Sequence, residues 1–294
     1  MKPKSDPLSI ALEELRNRPI VIESRDYARR WERASVRSGS VRRFVFGVGA
    51  VAAACVTACV VFGLLPMEGV PSLQNLIAKN LIETGVGETR AVTLEDGSRI
   101  VLDTSSRLRV VFKTAARDVE LLEGQAHFEV AKDSHRPFRV RTNSAEVVAV
   151  GTMFDVAALS ALTTVTLIEG RVNVRAISGT PRVEPQVEVL VPGQQLGIAN
   201  DGQFLGKKAV KIASVTAWQR GTIVLDDVPL TEALAALNRY STTQIVILDT
   251  RLQSRSVSGV FRVGDVETEA LVLRRYFDLK ERSRSEREIV LERN

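Results

Sequence analysis

The sequence predicts a chain in three parts: a single transmembrane helix, an all-β domain after it, and a small α+β domain at the C-terminus. Three observations carry this reading. An uncharged apolar run extends from Phe44 to Leu65, apolar residues alternate with period two between Glu88 and about Asn200, and helical stripes return after Ser214. With 294 residues the chain is long enough for about two domains.

The run FVFGVGAVAAACVTACVVFGLL holds 22 residues without a charge. At about 1.5 Å of rise per residue, a helix of this length spans roughly 30 Å, the thickness of a bilayer's hydrocarbon core. A helix at the surface of a soluble protein would carry a polar stripe, which this run lacks. Its small residues, from Gly47 through Ala58, either permit close packing against another helix or are simply tolerated in lipid. Arg25, Arg29, Arg30, Arg33, Arg37, Arg42 and Arg43 precede it, against Asp26 and Glu32. Between Pro66 and Gly87 the one basic residue is Lys79. Positive charge stays inside, so residues 1–43 are expected in the cytoplasm and the C-terminal part across the inner membrane, in the periplasm. A cleaved signal peptide fits less well, because its apolar stretch is only about 7–15 residues long. Val56-Thr57-Ala58-Cys59 resembles a lipoprotein cleavage box, yet the apolar run continues past it to Leu65. A retained anchor is the expected outcome.

Composition sets further bounds. Hydrophobic residues make up 45% and charged residues 26%, enough for a buried core, and the net charge of +5 is modest. Both cysteines, Cys55 and Cys59, lie in the apolar run, so the rest of the chain forms no internal disulfide.

Beyond the anchor, residues 66–87 read as a linker, with Pro66, Gly69 and Pro71 opposing regular structure and a short helix expected over Leu73–Ile82. The all-β domain is placed at 88–200. Its expected strands run through Val92–Leu94, Ile100–Leu102, Leu108–Phe112, Val119–Leu122, His127–Val130, Phe138–Arg141, Val147–Val150, Val165–Ile168, Val172–Val174 and Val187–Val191. Asp96-Gly97 suits a hairpin turn, and Glu123-Gly124, Glu169-Gly170 and Pro192-Gly193 read as further turns. These glycines recur at uneven distances of 27, 46 and 23 residues, a poor match to a regular solenoid.

The α+β domain is placed at 214–294. Strands are expected at Thr222–Leu225, Gln244–Leu248, Val257–Phe261, Leu279–Glu281 and Ile289–Glu292. One helix runs from Pro229 to Tyr240 with Leu230, Leu234 and Leu237 on one face; a second, capped by Asp265, stripes Val266, Ala270, Leu273 and Phe277. The order amounts to two βαβ-like units with a closing hairpin.

Several segments carry a resemblance. The stretch LEDGS from Leu94, the run LLEGQAHFEVAKDSHRPFRVRT from Leu121, the VGTMF core from Val150 and IEGRVNV from Ile168 resemble the periplasmic domain of FecR-type regulators. Trp218, Gly221, the Pro229-Leu230 helix start and Val257-Ser258-Gly259 resemble the FecR-linked variant of the short domain shared by secretins and TonB-dependent receptors. The resemblance covers about 85–294. It implies a transmembrane anti-sigma factor, that is, a regulator of an extracytoplasmic-function sigma factor. In such proteins the cytoplasmic segment binds the sigma factor, and the outer domains sense the signalling domain of a TonB-dependent outer-membrane receptor, commonly one handling an iron chelate. Proteases then release the cytoplasmic part in response to the signal. One departure is the cytoplasmic segment, shorter here than the family's usual run of several helices. Within it Tyr27-Ala28-Arg29-Arg30-Trp31-Glu32-Arg33-Ala34 resembles the family's last cytoplasmic helix, which points to Tyr27, Arg30 and Trp31 for sigma-factor binding.

Other groupings carry less. Tyr27 and Trp31, four apart on a helix, suit either a partner's groove or seating among lipid headgroups. The arginines of 25–43 sit beside the membrane, where a topology signal explains them better than direct nucleic-acid binding. His127 and His135 lack a third ligand at zinc spacing, Asp226-Asp227 reads as a strand end before a helix, and Ser105 and Ser106 have no base nearby in sequence. No Gly-rich phosphate loop is present. No cofactor and no enzymatic activity are expected. Ile289, Val290 and Leu291, on the last strand, are read as a free sheet edge for strand addition by the receptor domain. The competing reading is an envelope scaffold that docks on a secretin or receptor and has no transcriptional role.

Overall fold

A computed structural model describes residues 80–113, 116–160, 162–177 and 186–294. The expected membrane helix at 44–65, and Tyr27, Arg30 and Trp31 in the segment 1–43, lie outside the described residues. Among the described residues no helix is long and apolar enough to cross a membrane.

Most of the described chain is β-sheet. The first body contains β1 (Leu81–Glu83), β2 (Arg90–Thr93), β3 (Arg99–Leu102), β4 (Arg107–Lys113), β5 (Ala116–Glu129), β6 (Phe138–Arg141) and β7 (Ala145–Ala149). It continues through β8 (Met153–Leu159), β9 (Leu162–Glu169), β10 (Val172–Ala176), β11 (Val187–Leu190), β12 (Gln194–Ala199) and β13 (Phe204–Ala209). The C-terminal body follows with a short helix α1 (Ile212–Val215), β14 (Thr222–Pro229), α2 (Leu230–Asn238), β15 (Gln244–Ile247), β16 (Ser256–Arg262), α3 (Val266–Phe277), β17 (Leu279–Arg284) and β18 (Glu288–Arg293).

The long strand β5 organises the first body. Its N-terminal half pairs with β4 and β6, and its C-terminal half pairs with β3 and β8. Two arms therefore share one strand: β1-β4-β5-β6-β7-β10-β11 and β2-β3-β5-β8-β9-β12-β13. Gly124 is the bend between them. Its φ of 90° is left-handed, and a Cβ there would fall 2.2 Å from the Ser106 hydroxyl, so only glycine fits. Alternating side chains from both arms, among them Leu108, Val119, Phe128, Phe154, Val165 and Leu196, fill a single core.

Several expectations change. Glu123-Gly124 does not end a strand, because the chain turns from one arm to the other without leaving the ladder. The hairpin at Asp96-Gly97 forms with a wider connection, Thr93 facing Arg99. β8, β12 and β13 were not foreseen, and the sheet reaches Ala209 rather than Asn200. Leu81 and Ile82 lie in β1, paired with β4, and not in a helix.

In the C-terminal body the helices sit where the periodicity places them. Leu230, Ala233 and Leu237 bury one face of α2, and Asp265 caps α3 by accepting the Thr268 N–H. The strand pairing differs from two βαβ units. β14 pairs antiparallel with β16, while β15 pairs parallel with β18, so each helix bridges two small sheets instead of returning the chain to one. β18 lies between β15 and β17, paired on both sides, with Ile289 and Leu291 fully buried. The expected free edge at Ile289–Leu291 is therefore corrected: its backbone groups are already spent on two neighbours, leaving none for strand addition.

Candidate functional site

The two bodies meet across buried polar groups that come from distant parts of the sequence. On the side of the first body the first is Asp103, just beyond β3 and 0% exposed. On the other side are Arg239 and Tyr240, at the C-terminal end of α2. Asn238 stops that helix by holding both backbone groups of Ile245, its amide donating to the carbonyl and its Oδ1 accepting the N–H. A cation at this end also complements the helix dipole.

Tyr240 donates its hydroxyl to Asp103 Oδ2 at 2.6 Å, and Arg239 Nη2 approaches the same oxygen at 3.3 Å. Arg239 Nη1 donates to Gln125 Oε1 at 3.3 Å, and the guanidinium lies 5.6 Å from the Tyr240 ring centre. Thr104 donates its hydroxyl to the Arg239 carbonyl at 3.2 Å. Asp103 Oδ1 is buried with no hydrogen-bond partner among the described residues. Burial raises the Asp103 carboxyl above the usual carboxylate range, opposed by the Tyr240 hydrogen bond and the Arg239 charge. Burial, and then the nearby Asp103, push the Tyr240 phenol up, so it remains a donor.

A second contact joins Asp155 of β8 to Trp218, which lies in a 3-10 turn (Ala217–Arg220) stopped by Gly221 in the left-handed region. Trp218 Nε1 donates to Asp155 Oδ2 at 3.1 Å, and Asp155 Oδ1 lies 2.5 Å from His127 Nδ1. His127 and Asp155 face each other across β5 and β8, and His127 Nε2 is 3.6 Å from Glu129 Oε1. Among the described residues no hydroxyl or thiol is hydrogen-bonded to His127. The pair is thus a satisfied core constellation that seats Trp218. The arrangement can fix one body on the other, and a partner competing for either aromatic donor would strand a buried carboxylate.

A separate cleft of about 840 Å³ opens beside residues 131–136. Arg117, 1% exposed, fixes its wall by donating to the carbonyls of Arg136, Ala131 and Asp133 and pairing with Asp96 at 2.7 Å. His135 lines this cleft and is exposed.

Asp226 and Asp227 form a bulge inside β14, exposed, with Asp226 paired to Lys211. Among the described residues no group of three or more His, Cys, Asp or Glu could hold a metal ion. The sequence reading missed Asp103, Asp155, Arg239 and Tyr240 as a site. It did single out Trp218, through the resemblance.

Residues 80–173 match the FecR protein family. No curated protein matches the chain. The fold is similar to the crystal structure of a candidate anti-sigma factor from Parabacteroides distasonis, 28% identical, with a TM-score of 0.62, covering 73% of this chain and 99% of that one. A second crystal structure of a candidate anti-sigma factor from the same organism matches with the same identity and TM-score, covering 98% of its own chain. The strands that wrap around β5 and carry Asp103 and His127 thus fall within the stretch that matches the FecR protein family.

Proposed function

We propose that this chain is an anti-sigma regulator anchored in the inner membrane by residues 44–65, with residues 1–43 in the cytoplasm and the FecR and C-terminal bodies in the periplasm. The observation that carries the reading is the extent of the likeness: nearly the whole of a candidate anti-sigma factor chain is matched, at 28% identity, alongside a FecR domain. The uncharged run and the arginines before it support the membrane placement. Tyr27, Arg30 and Trp31 present the sigma-factor contact. The periplasmic input comes from the signalling domain of a TonB-dependent receptor, in an iron-uptake setting, and release of the cytoplasmic segment by proteases completes the relay. The buried junction supplies a mechanical reason for two periplasmic bodies: a contact received by one is felt by the other.

Full-length protein purified from membranes should retain an extracytoplasmic-function sigma factor, and Trp31→Ala should reduce the amount retained several-fold. A phosphatase fused to Asn294 should be active, and one fused to Met1 inactive. Loss of sigma-factor capture from intact, correctly oriented protein would remove the regulatory reading and leave an envelope scaffold.

A further inference from the structure

The loop between β3 and β4, Asp103-Thr104-Ser105-Ser106, has the C-terminal body on one side and the beginning of the described chain on the other. Toward the C-terminal body, Asp103 and Thr104 hold Tyr240 and Arg239. Toward β1, the Thr84 hydroxyl donates to the Asp103 carbonyl at 2.5 Å, and the Ser106 N–H donates to the Thr84 hydroxyl at 2.9 Å. The Thr84 N–H donates to the Ser106 carbonyl at 3.0 Å, and the Ser105 N–H to the Gly85 carbonyl at 3.0 Å. Thr104 belongs to both sets, accepting the Gly87 N–H at 2.7 Å while donating to the Arg239 carbonyl. Gly87 also lies against the C-terminal body directly, since a Cβ on it would sit 3.3 Å from the Tyr240 carbonyl oxygen.

Two features make this loop depend on its partners. Ser105 occupies the left-handed region at φ 49°, uncommon for a residue with a side chain, and Asp103 Oδ1 is buried unpaired. Among the described residues β1 spans three residues and pairs with β4 alone, so little ladder holds it in the sheet.

We infer that residues 103–106 are a latch: docking of Arg239 and Tyr240 holds β1 in the sheet, and undocking the C-terminal body frees β1 and the residues around Gly87. This rests on the proposed function in one respect, that β1 follows the segment leading from the membrane, so its release is a signal the tether receives.

Hydrogen exchange of the full-length protein in detergent tests the latch. Tyr240→Phe removes one hydroxyl, and Tyr240→Phe with Arg239→Ala removes both side-chain contacts to Asp103. Peptides covering 81–88 and 103–110 should exchange roughly tenfold faster in the double variant, with a smaller change in the single one, while 145–149 and 172–176 stay protected. Val257→Ala, a cavity in the C-terminal core away from the loop, should leave 81–88 unchanged. Unaltered exchange at 81–88 in the double variant overturns the latch. So does equal acceleration by Val257→Ala, which would make the effect a general loosening. A sigma-dependent transcription reporter separates the two ideas. Freed β1 with a silent reporter keeps the latch and sinks the sigma-factor reading.

Discussion

Glu269 offers the most quantitative check on the C-terminal body. It sits on the buried face of α3 beside Ala270 and Leu273, 1% exposed, with Oε1 lacking a hydrogen-bond partner among the described residues. Burial, and then the neighbouring Asp265, push its carboxyl up to about 7 from the ordinary 4.5. A carboxyl raised in the folded state binds its proton more tightly there than in the unfolded chain. Its contribution is therefore fully present below about pH 4.5 and is lost as pH rises to about 7. The span of about 2.5 units corresponds to about 3 kcal/mol at 1.36 kcal/mol per unit, as an upper figure. That is a sizeable share of a typical domain's stability. Glu269→Gln cannot ionise, so urea unfolding of the full-length protein, followed by the β-sheet circular dichroism signal, should show little difference between variant and wild type at pH 4.5. The variant should gain progressively up to about pH 7 and hold a constant advantage above it. A difference that does not change with pH across that window would mean that Glu269 ionises freely in the folded protein, and the argument from its burial would fail.

Two further substitutions probe the FecR domain. Gly124→Ala should destabilise it by about 2 kcal/mol or more, because a Cβ meets both a left-handed φ and the Ser106 side chain; an unchanged urea midpoint would show that β5 does not bend there. Arg117→Lys keeps the charge facing Asp96 but lacks the forked donors for the carbonyls of Ala131, Asp133 and Arg136, so it should cost about 3 kcal/mol and open residues 131–136 to a protease. Wild-type resistance to cleavage would refute the role given to that guanidinium.

The parts of the fold that the sequence made legible are those set by local rules. α2 and α3 follow from helical stripes and a capping aspartate, and the strands around Phe138 and Val172 from simple alternation. β8 and β12 escaped for a physical reason. Met153-Phe154-Asp155-Val156-Ala157 and Gln194–Ala199 are crossed by neighbours on both sides, and burial on both faces removes the alternation that marks a half-exposed strand. Glu123-Gly124 misled in the opposite sense. A glycine with an acidic neighbour is the usual mark of a turn, yet here the left-handed residue lies within a strand that stays paired on both sides of it, with one register shift at Leu122.

The junction was hidden for another reason: no local pattern encodes it. Asp103 and Tyr240 are 137 positions apart, and Asp155 and Trp218 are 63. Taken singly, Tyr240 reads as the end of a helix stripe and Asp103 as a strand-end acid, roles in which neither needs a partner. What unites them is that each body contributes half of a hydrogen bond that neither can complete alone: carboxylates from the sheet, and aromatic donors from the C-terminal body. Apolar surfaces alone would let the two bodies settle in many orientations, whereas an aspartate buried at 0% exposure tolerates only the pose that brings Tyr240 and Arg239 to it. The same dependence makes the pose breakable, since withdrawing one donor leaves a charge-bearing group stranded in the interior and so favours separation. The second misjudged feature, β18, obeys the same logic from the other side. A strand at the chain's end looks free in one dimension, but inserting it between β15 and β17 buries Ile289 and Leu291 and completes both ladders, so docking onto this body must use a surface other than its last strand.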